Sequence, residues 1–425
     1  MRLSLKTAYR NRRKAESDPA IRSKREPRRR LPLLRTLSAW RIPLGIAALA
    51  AGAATGAGFG IAAASDSTSA SVPAATATAA TATGAAPQLH VSGNELVNAG
   101  GRPVMLHGVD RSGTEYECVQ GNGIFDGPSG LSSIREMRAY GVNAVRIPLN
   151  EACWNGESYV NLAYSGARYQ QAIATYVRRL NASGIVAILD LHWTDGAYTG
   201  GASACSSATA TCQKPMPDAV GAIRFWTSVA KTFKGNDSVI FDLFNEPYPE
   251  KAVANGNGAE GWQCWLHGGH CPGISYRVAG MQSMVDAVRS VGANNVLMLG
   301  GLEWSNDLTG WLAHKPADPD HNLAASWHSY NFNACSTKSC WSSQIAPVMA
   351  RVPLIAGEIG ENDCAGAYVS PLTAWLDSRS GSYLAWAWNA DFNCASGPGL
   401  ITSYNGHPTA YGAGYEAILR SDRHK

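Results

Sequence analysis

Eight short apolar runs, most of them separated by stretches long enough for a helix, constrain this chain more than any other feature. They are Val104–Val109, Asn143–Pro148, Val186–Leu191, Val239–Phe244, Val296–Gly300, Leu323–Trp327, Leu354–Gly357 and Tyr383–Trp388. Runs without polar alternation belong to strands buried on both faces, the situation of a parallel sheet. Between them, Tyr169–Leu180, Ala219–Phe233 and Tyr276–Val291 carry a helical pattern, the last two closely followed by Gly235 and Gly292, and glycine is favoured where a helix ends. Eight such units predict an α/β fold, a closed (β/α)8 TIM barrel. An open doubly wound sheet is the rival, but no glycine-rich phosphate loop joins the first strand to its helix. Leu89–Val91 and Glu95–Val97, joined through Gly93-Asn94, predict a small N-terminal hairpin.

The reactive groups of such a barrel gather on the face where its strands end. Residues toward, at or beyond the ends of the runs are Arg146, His192, Asn245 and Glu246, Trp304, His328 and Tyr330, Glu358, and Trp388. Two are carboxylates on the fourth and seventh strands, and a pair of carboxyl groups flanking one bond is the minimum equipment for glycoside hydrolysis. Either glutamate alone is as well explained by a loop salt bridge; the pair is not. Pro247 restricts the backbone just before it and so fixes where Glu246 leaves its strand. Ala356-Gly357 leaves room for a substrate beside Glu358.

These motifs resemble those of glycoside hydrolase family five, the cellulase and mannanase relatives, over roughly Leu89 to Leu419. The matching positions are Arg146 in Arg-Ile-Pro-Leu, His192 in Asp-Leu-His-Trp, Asn245 and Glu246 in Phe-Asn-Glu-Pro, His328 and Tyr330 in His-Ser-Tyr, Glu358 in Gly-Glu-Ile-Gly, and Trp388 in Trp-Ala-Trp-Asn. The resemblance implies a retaining β-glycanase with Glu246 as acid/base and Glu358 as nucleophile, needing no metal or cofactor. Arg146 and Tyr330, if within reach, would favour ionised Glu358, whose charge would in turn keep the proton on Glu246. Asn245 suits the sugar 2-hydroxyl. His192 and His328 are read as substrate or carboxylate contacts, with a structural histidine as the alternative for each. His107, where relatives more often carry Arg, is assigned to the barrel floor.

Tryptophan is abundant, at 13 residues, and Trp154, Trp193, Trp262, Trp265, Trp304, Trp341 and Trp388 fall in or beside the expected top-face loops. Sugar rings stack on such surfaces; Trp388 is the leading candidate, with Trp193 and Trp304 beside it. Trp226, Trp311 and Trp375 lie on helical stretches and read as core.

The front of the chain is different. Fourteen of the 36 basic residues but three of the 32 acids lie within Met1–Ile42, so the remainder has 22 basic and 29 acidic residues. A body of net −7 argues against nucleic acid, which wants a basic stripe on the folded domain. The uncharged run from Leu44 to Ala64 follows the basic segment, which predicts an export signal cleaved near Ser65. The alternative is a membrane anchor formed by residues 44–64. The expected layout is thus residues 1–64 as signal, 65–87 as a Ser/Thr/Ala-rich tether and 88–425 as the catalytic domain, secreted and monomeric, with no membrane partner after cleavage.

Ten cysteines with an export signal read as disulfides. Cys205–Cys212, Cys264–Cys271 and Cys335–Cys340 would staple single loops, and strand adjacency pairs Cys118 with Cys153 and Cys364 with Cys394. Cys264, His267, His270 and Cys271 have a superficial zinc spacing, set aside because adjacent ligands fit one tetrahedral ion poorly. Residues 256–261 spell a dinucleotide fingerprint but follow a loop and read as a flexible turn. The expected substrate is a β-linked polysaccharide or oligosaccharide, a cellulase-type β-1,4-glucan first, with mannan or another β-glycan as the alternative. The reading from a different class is a sugar-binding barrel without catalysis.

Overall fold

The computed structural model describes residues 84–198, 205, 207–252, 257–393 and 397–422. The basic segment, the export run and nearly all of the tether lie outside the described residues. Among those described, no helix is long and apolar enough to cross a membrane.

The chain opens with a hairpin of β1 (Leu89–Ser92) and β2 (Glu95–Asn98), turning at Gly93 with φ +63°. Eight parallel strands then close a barrel: β3 (His107–Asp110), β4 (Ala144–Asn150), β5 (Val186–Trp193), β6 (Val239–Asp242), β9 (Leu297–Gly300), β10 (Leu323–Tyr330), β11 (Leu354–Gly360) and β12 (Ser382–Ala385). The remaining two, β7 (Gly268–His270) and β8 (Arg277–Ala279), form a separate antiparallel ribbon.

Helices at Ala167–Ala182 and Gly221–Phe233 cover the sheet where helical periodicity predicts them. The stretch Tyr276–Val291 does not hold as one helix. Its first part is β8, and the helix runs only from Met281 to Arg289, because pairing with β7 satisfies the backbone of residues 277–279 instead. A second correction concerns residues 256–261: a helix, Gly258–His267, starts within them, with the Asn257 side chain accepting from the Ala259 N–H.

The barrel interior is layered. Leu106, Ala144, Val186, Ile188, Ile240, Met298, Ala324, Ile355 and Leu384 fill its lower part, and Ala86, Leu89 and Leu96 close it from beneath. The hairpin is thus a floor plug, each large apolar side chain in it contributing about 1.5–3 kcal/mol. The folded part also begins earlier than the tether boundary at residue 87: Ala86 N–H donates to Asn181 O at 2.8 Å, and Ser238 Oγ donates to the carbonyls of Ala86 and Pro87. His107, at the lower end of β3, stacks on Tyr383 at 4.3 Å and faces Asp377 at 3.4 Å, away from the mouth.

Four disulfides form as the spacing and adjacency predict: Cys118–Cys153, Cys205–Cys212, Cys264–Cys271 and Cys335–Cys340. Cys364 is disulfide-bonded; its expected partner, Cys394, lies outside the described residues. Cys264 and Cys271 bond each other, which removes both sulfurs from the zinc alternative.

Candidate active site

Above the apolar layers the barrel interior turns charged. Arg146 on β4 is fully buried and its guanidinium faces five residues. Nε donates to Asp242 (2.9 Å), Nη1 to Asp110 (3.0 Å) and Glu358 (3.0 Å), and Nη2 to Asn245 (2.8 Å), with Asp190 paired at 3.1 Å. One cation against four carboxyl groups cannot hold all four ionised in so dry a place. Burial accordingly pushes the aspartates up: Asp190 to about 7, Asp242 to about 8, and Asp110 well above its usual range, while the charge of Arg146 opposes the rise in each.

This ring of aspartates was not singled out from the sequence, although a signal existed. Asp190 and Asp242 sit inside otherwise apolar runs, and an acid in a strand buried on both faces must have a partner.

The two glutamates stand over the ring. Glu358 Oε1 is held by Arg146 and Oε2 accepts from the Tyr330 hydroxyl at 2.6 Å. Burial first, and then the charge of Glu358, raises Tyr330 well above its usual range, so it acts as a neutral donor. Glu246 keeps 23% of its side chain exposed against 6% for Glu358, so substrate and solvent reach Glu246 more readily. His328 Nδ1 lies 3.2 Å from Glu246 Oε1 and 3.6 Å from Glu358 Oε2. Ligand atoms of Glu246, His328 and Glu358 all lie within 4.8 Å of one another, so this trio is where a cation could sit.

A bulge aims Glu358. On β11, Ile355 pairs with Ser326 and Glu358 with His328, so three steps on β11 match two on β10; the pairing with β12 shows the same extra residue on β11, between Ala356 and Ile359. Such an insertion re-aims a side chain. A Cβ on Gly357 would come within 3.0 Å of Ser326 Oγ and 3.2 Å of His328 Nε2, which is why glycine suits that position.

Both histidines are buried, and that burial depresses them, His192 to about 4 and His328 to about 3. They are neutral near pH 7. His192 Nδ1 lies 2.6 Å from Asp190 Oδ2, an arrangement that holds the ring by one nitrogen.

The tryptophans divide unlike the expectation. Trp388 is fully buried, edge-on to Tyr140 at 5.1 Å, and offers no face to a sugar. Two residues earlier, Trp386 is partly exposed and stacks parallel to His192 at 5.6 Å, so it is the tryptophan of this segment that faces the mouth. Trp-Ala-Trp carries both candidates, and only the path of the chain beyond β12 distinguishes them.

Trp304 is partly exposed and stacked on Tyr248 at 4.8 Å, within a turn where Glu303, Trp304 and Ser305 all have φ between 54° and 62°. Trp193 is partly exposed, 6.5 Å from Tyr116. Trp154, Trp262, Trp265 and Trp341 are buried packing residues, as are Trp226, Trp311 and Trp375.

A closed (β/α)8 barrel whose mouth presents two facing glutamates belongs to the barrel glycosidases. Residues 97–392 match the cellulase family, glycosyl hydrolase family 5. The chain belongs to that family and is a glycosidase. It is 23% identical to a mannan endo-1,4-beta-mannosidase of Streptomyces lividans over 72% of this chain and 67% of that protein. It is 23% identical to endoglucanase A of Butyrivibrio fibrisolvens over 57% of this chain but only 45% of the relative.

Among solved structures, a beta-glucanase of Saccharophagus degradans in complex with cellotetraose superposes with a TM-score of 0.60 at 19% identity, covering 83% of this chain and 98% of that one. A beta-mannanase of Streptomyces thermolilacinus gives 0.54 at 20% identity, over 78% and 96%. At such identities the superpositions establish the fold.

Proposed function

We propose that the chain is a retaining, endo-acting β-glycanase in which Glu246 is the acid/base and Glu358 the nucleophile. The observation that carries this is the approach of the two carboxylates: an oxygen of each lies within 4.8 Å of one of the other, which supports the separation of about 5–5.5 Å that retention uses over the about 6.5–9.5 Å that inversion needs to admit a water. In the first step Glu358 attacks the anomeric carbon and Glu246 gives its proton to the departing oxygen. In the second, Glu246 takes a proton from water as that water displaces Glu358. Asn245, whose Oδ1 is held by Arg146, turns its amide N–H toward the 2-hydroxyl, and neutral His192 offers its outer ring nitrogen to a neighbouring hydroxyl.

The backbone polymer is a β-1,4-linked glucan or mannan, a reading supported by relatives of both kinds. We take glucan first, and its test is an assay of carboxymethylcellulose, glucomannan, galactomannan, xyloglucan and a β-1,3-glucan for new reducing ends. Release is expected from a β-1,4-glucan with a rapid fall in viscosity, the mark of internal cleavage. Preference for galactomannan would move the assignment to mannanase, and turnover of none would leave a sugar-binding barrel.

Trp386 is the stacking platform of this reading. Trp386→Ala should raise KM on the preferred glycan by on the order of tenfold, the loss of one aromatic face, with a melting temperature near wild type. An unchanged KM would remove Trp386 from the sugar path.

A further inference from the structure

The loop after β5 is bonded to the catalytic strand end through the Gln213 side chain and two backbone carbonyls. Cys205 and Cys212 close a short ring with Cα atoms 5.7 Å apart. Lys214, buried and pushed down to about 8 by that burial, fills it, its Nζ donating to the carbonyls of Ser207 and Thr209 at 3.0 Å each. The chain on either side of Lys214 is then laid along residues 245–248. Tyr248 N–H donates to Pro215 O at 2.9 Å, and the Tyr248 hydroxyl donates to Gln213 O at 3.0 Å.

Between these bonds lies the Gln213 amide. Its Nε2 donates to the carbonyls of Glu246 (3.1 Å) and Lys214 (3.2 Å), and its Oε1 accepts from Asn245 Nδ2 at 3.1 Å. Two carbonyls on one side fix which way the Gln213 amide faces. The Oε1 must then point at Asn245, whose own amide is fixed in turn with Oδ1 on Arg146 at 2.8 Å and one N–H of Nδ2 left over.

We propose that Gln213 is a positioning residue for the glycosidase reaction: delivered by the disulfide-closed, lysine-filled loop, it sets the orientation of Asn245 and so the contact to the sugar 2-hydroxyl. Gln213 itself touches neither reacting atom. The inference rests on the assignment of Glu246 and Asn245 above and adds the element that orients them.

The test uses the full-length protein and the 2,4-dinitrophenyl β-cellobioside or β-mannobioside, whichever it hydrolyses. The same glycoside lacking the 2-hydroxyl on the sugar bearing the aryl group is run alongside. Gln213→Met keeps the side-chain volume and removes all three hydrogen bonds. It should lower kcat/KM about tenfold on the parent substrate, the scale of one well-aligned neutral hydrogen bond. The loss should fall in kcat with KM within about twofold, and the 2-deoxy substrate should change by less than about twofold.

Gln213→Leu, which likewise removes all three hydrogen bonds, should show the same selectivity and serves if the Met variant does not fold. Equal losses on both substrates would mean that Gln213 merely supports the fold, and wild-type rates on both would mean that it supports nothing; either overturns the proposal. Glu358→Gln separates the two levels. If it is inactive while the Gln213 variants are unselective, only the positioning role fails. If Glu358→Gln hydrolyses the parent substrate normally, the site assignment fails and the Gln213 proposal with it.

Discussion

Glu358→Ala is expected to lose turnover on the preferred glycan by on the order of 10⁴-fold or more, the scale set by removing a nucleophile that acts as a unit with its partners, and added azide is expected to restore cleavage of an activated glycoside. The azide product should be α-configured, because the small anion enters from the space the carboxylate left and displaces the aglycone once. The geometry supports this. Glu358 is oriented at both oxygens, by Arg146 at 3.0 Å and Tyr330 at 2.6 Å, so both donors remain in the variant to line the vacated space. Glu246→Ala should differ: an aryl glycoside with a good leaving group still undergoes the first step, and azide then intercepts the glycosyl-enzyme to give the β product. NMR of the first product released by the wild type provides the decisive check, since an α-anomer would overturn retention and the role given to Glu358.

Arg146→Met is expected to combine loss of activity with a loss of about 3–5 kcal/mol of stability, the cost of leaving buried partners without their counter-charge. The dependence on pH identifies the cause. Asp190 and Asp242, raised by burial to about 7 and about 8, and Asp110, raised well above its usual range, titrate near 3.8 once unfolded. The stability each contributes is fully present below about pH 4 and is lost as pH rises through its folded value.

His192 and His328, depressed by burial to about 4 and about 3, act in the opposite sense. Their contribution is present above about 6.5 and is lost as pH falls toward those values. The opposing slopes offset one another below about 6.5, so the aspartate effect shows above it: the melting temperature of the wild type should fall between about pH 6.5 and 9. Glu115, Glu151 and Glu250, also raised by burial, add to that fall, so the diagnostic is a difference between variants. Asp242→Asn should flatten the slope above pH 6.5, and Arg146→Met should be more destabilising at pH 8 than at pH 5. Parallel melting curves across that range for wild type and Asp242→Asn would sink the account.

The eight strands were legible because a strand buried on both faces must be apolar along its length, a property of single residues in order. The polar residues near the ends of these runs, Arg146 within the second and His192, Asn245, Glu246, His328, Tyr330 and Glu358 just past the others, were legible for the complementary reason that a packed barrel tolerates them only toward its mouth. What pairs with what lies beyond such a reading. Residues 277–279 left the helical pattern because β7 offered them a ladder, and Asp110, Asp190 and Asp242 became a cluster only when three strands brought them to one guanidinium. Trp386 exchanged places with Trp388 through the path of the chain after β12. Glu358 is the sharpest case. Strict alternation from Ile355, which faces the barrel interior, would put Gly357 and Ile359 inward and turn Glu358 out toward the helices. The extra residue on β11 reverses that parity, leaving Ile359 in the outer layer and Glu358 beside Arg146. Sequence alone determined that a glutamate stands at the end of the seventh strand. Which way it points was decided by the register of β11 against β10 and β12, because a bulge exists only as a mismatch between strands.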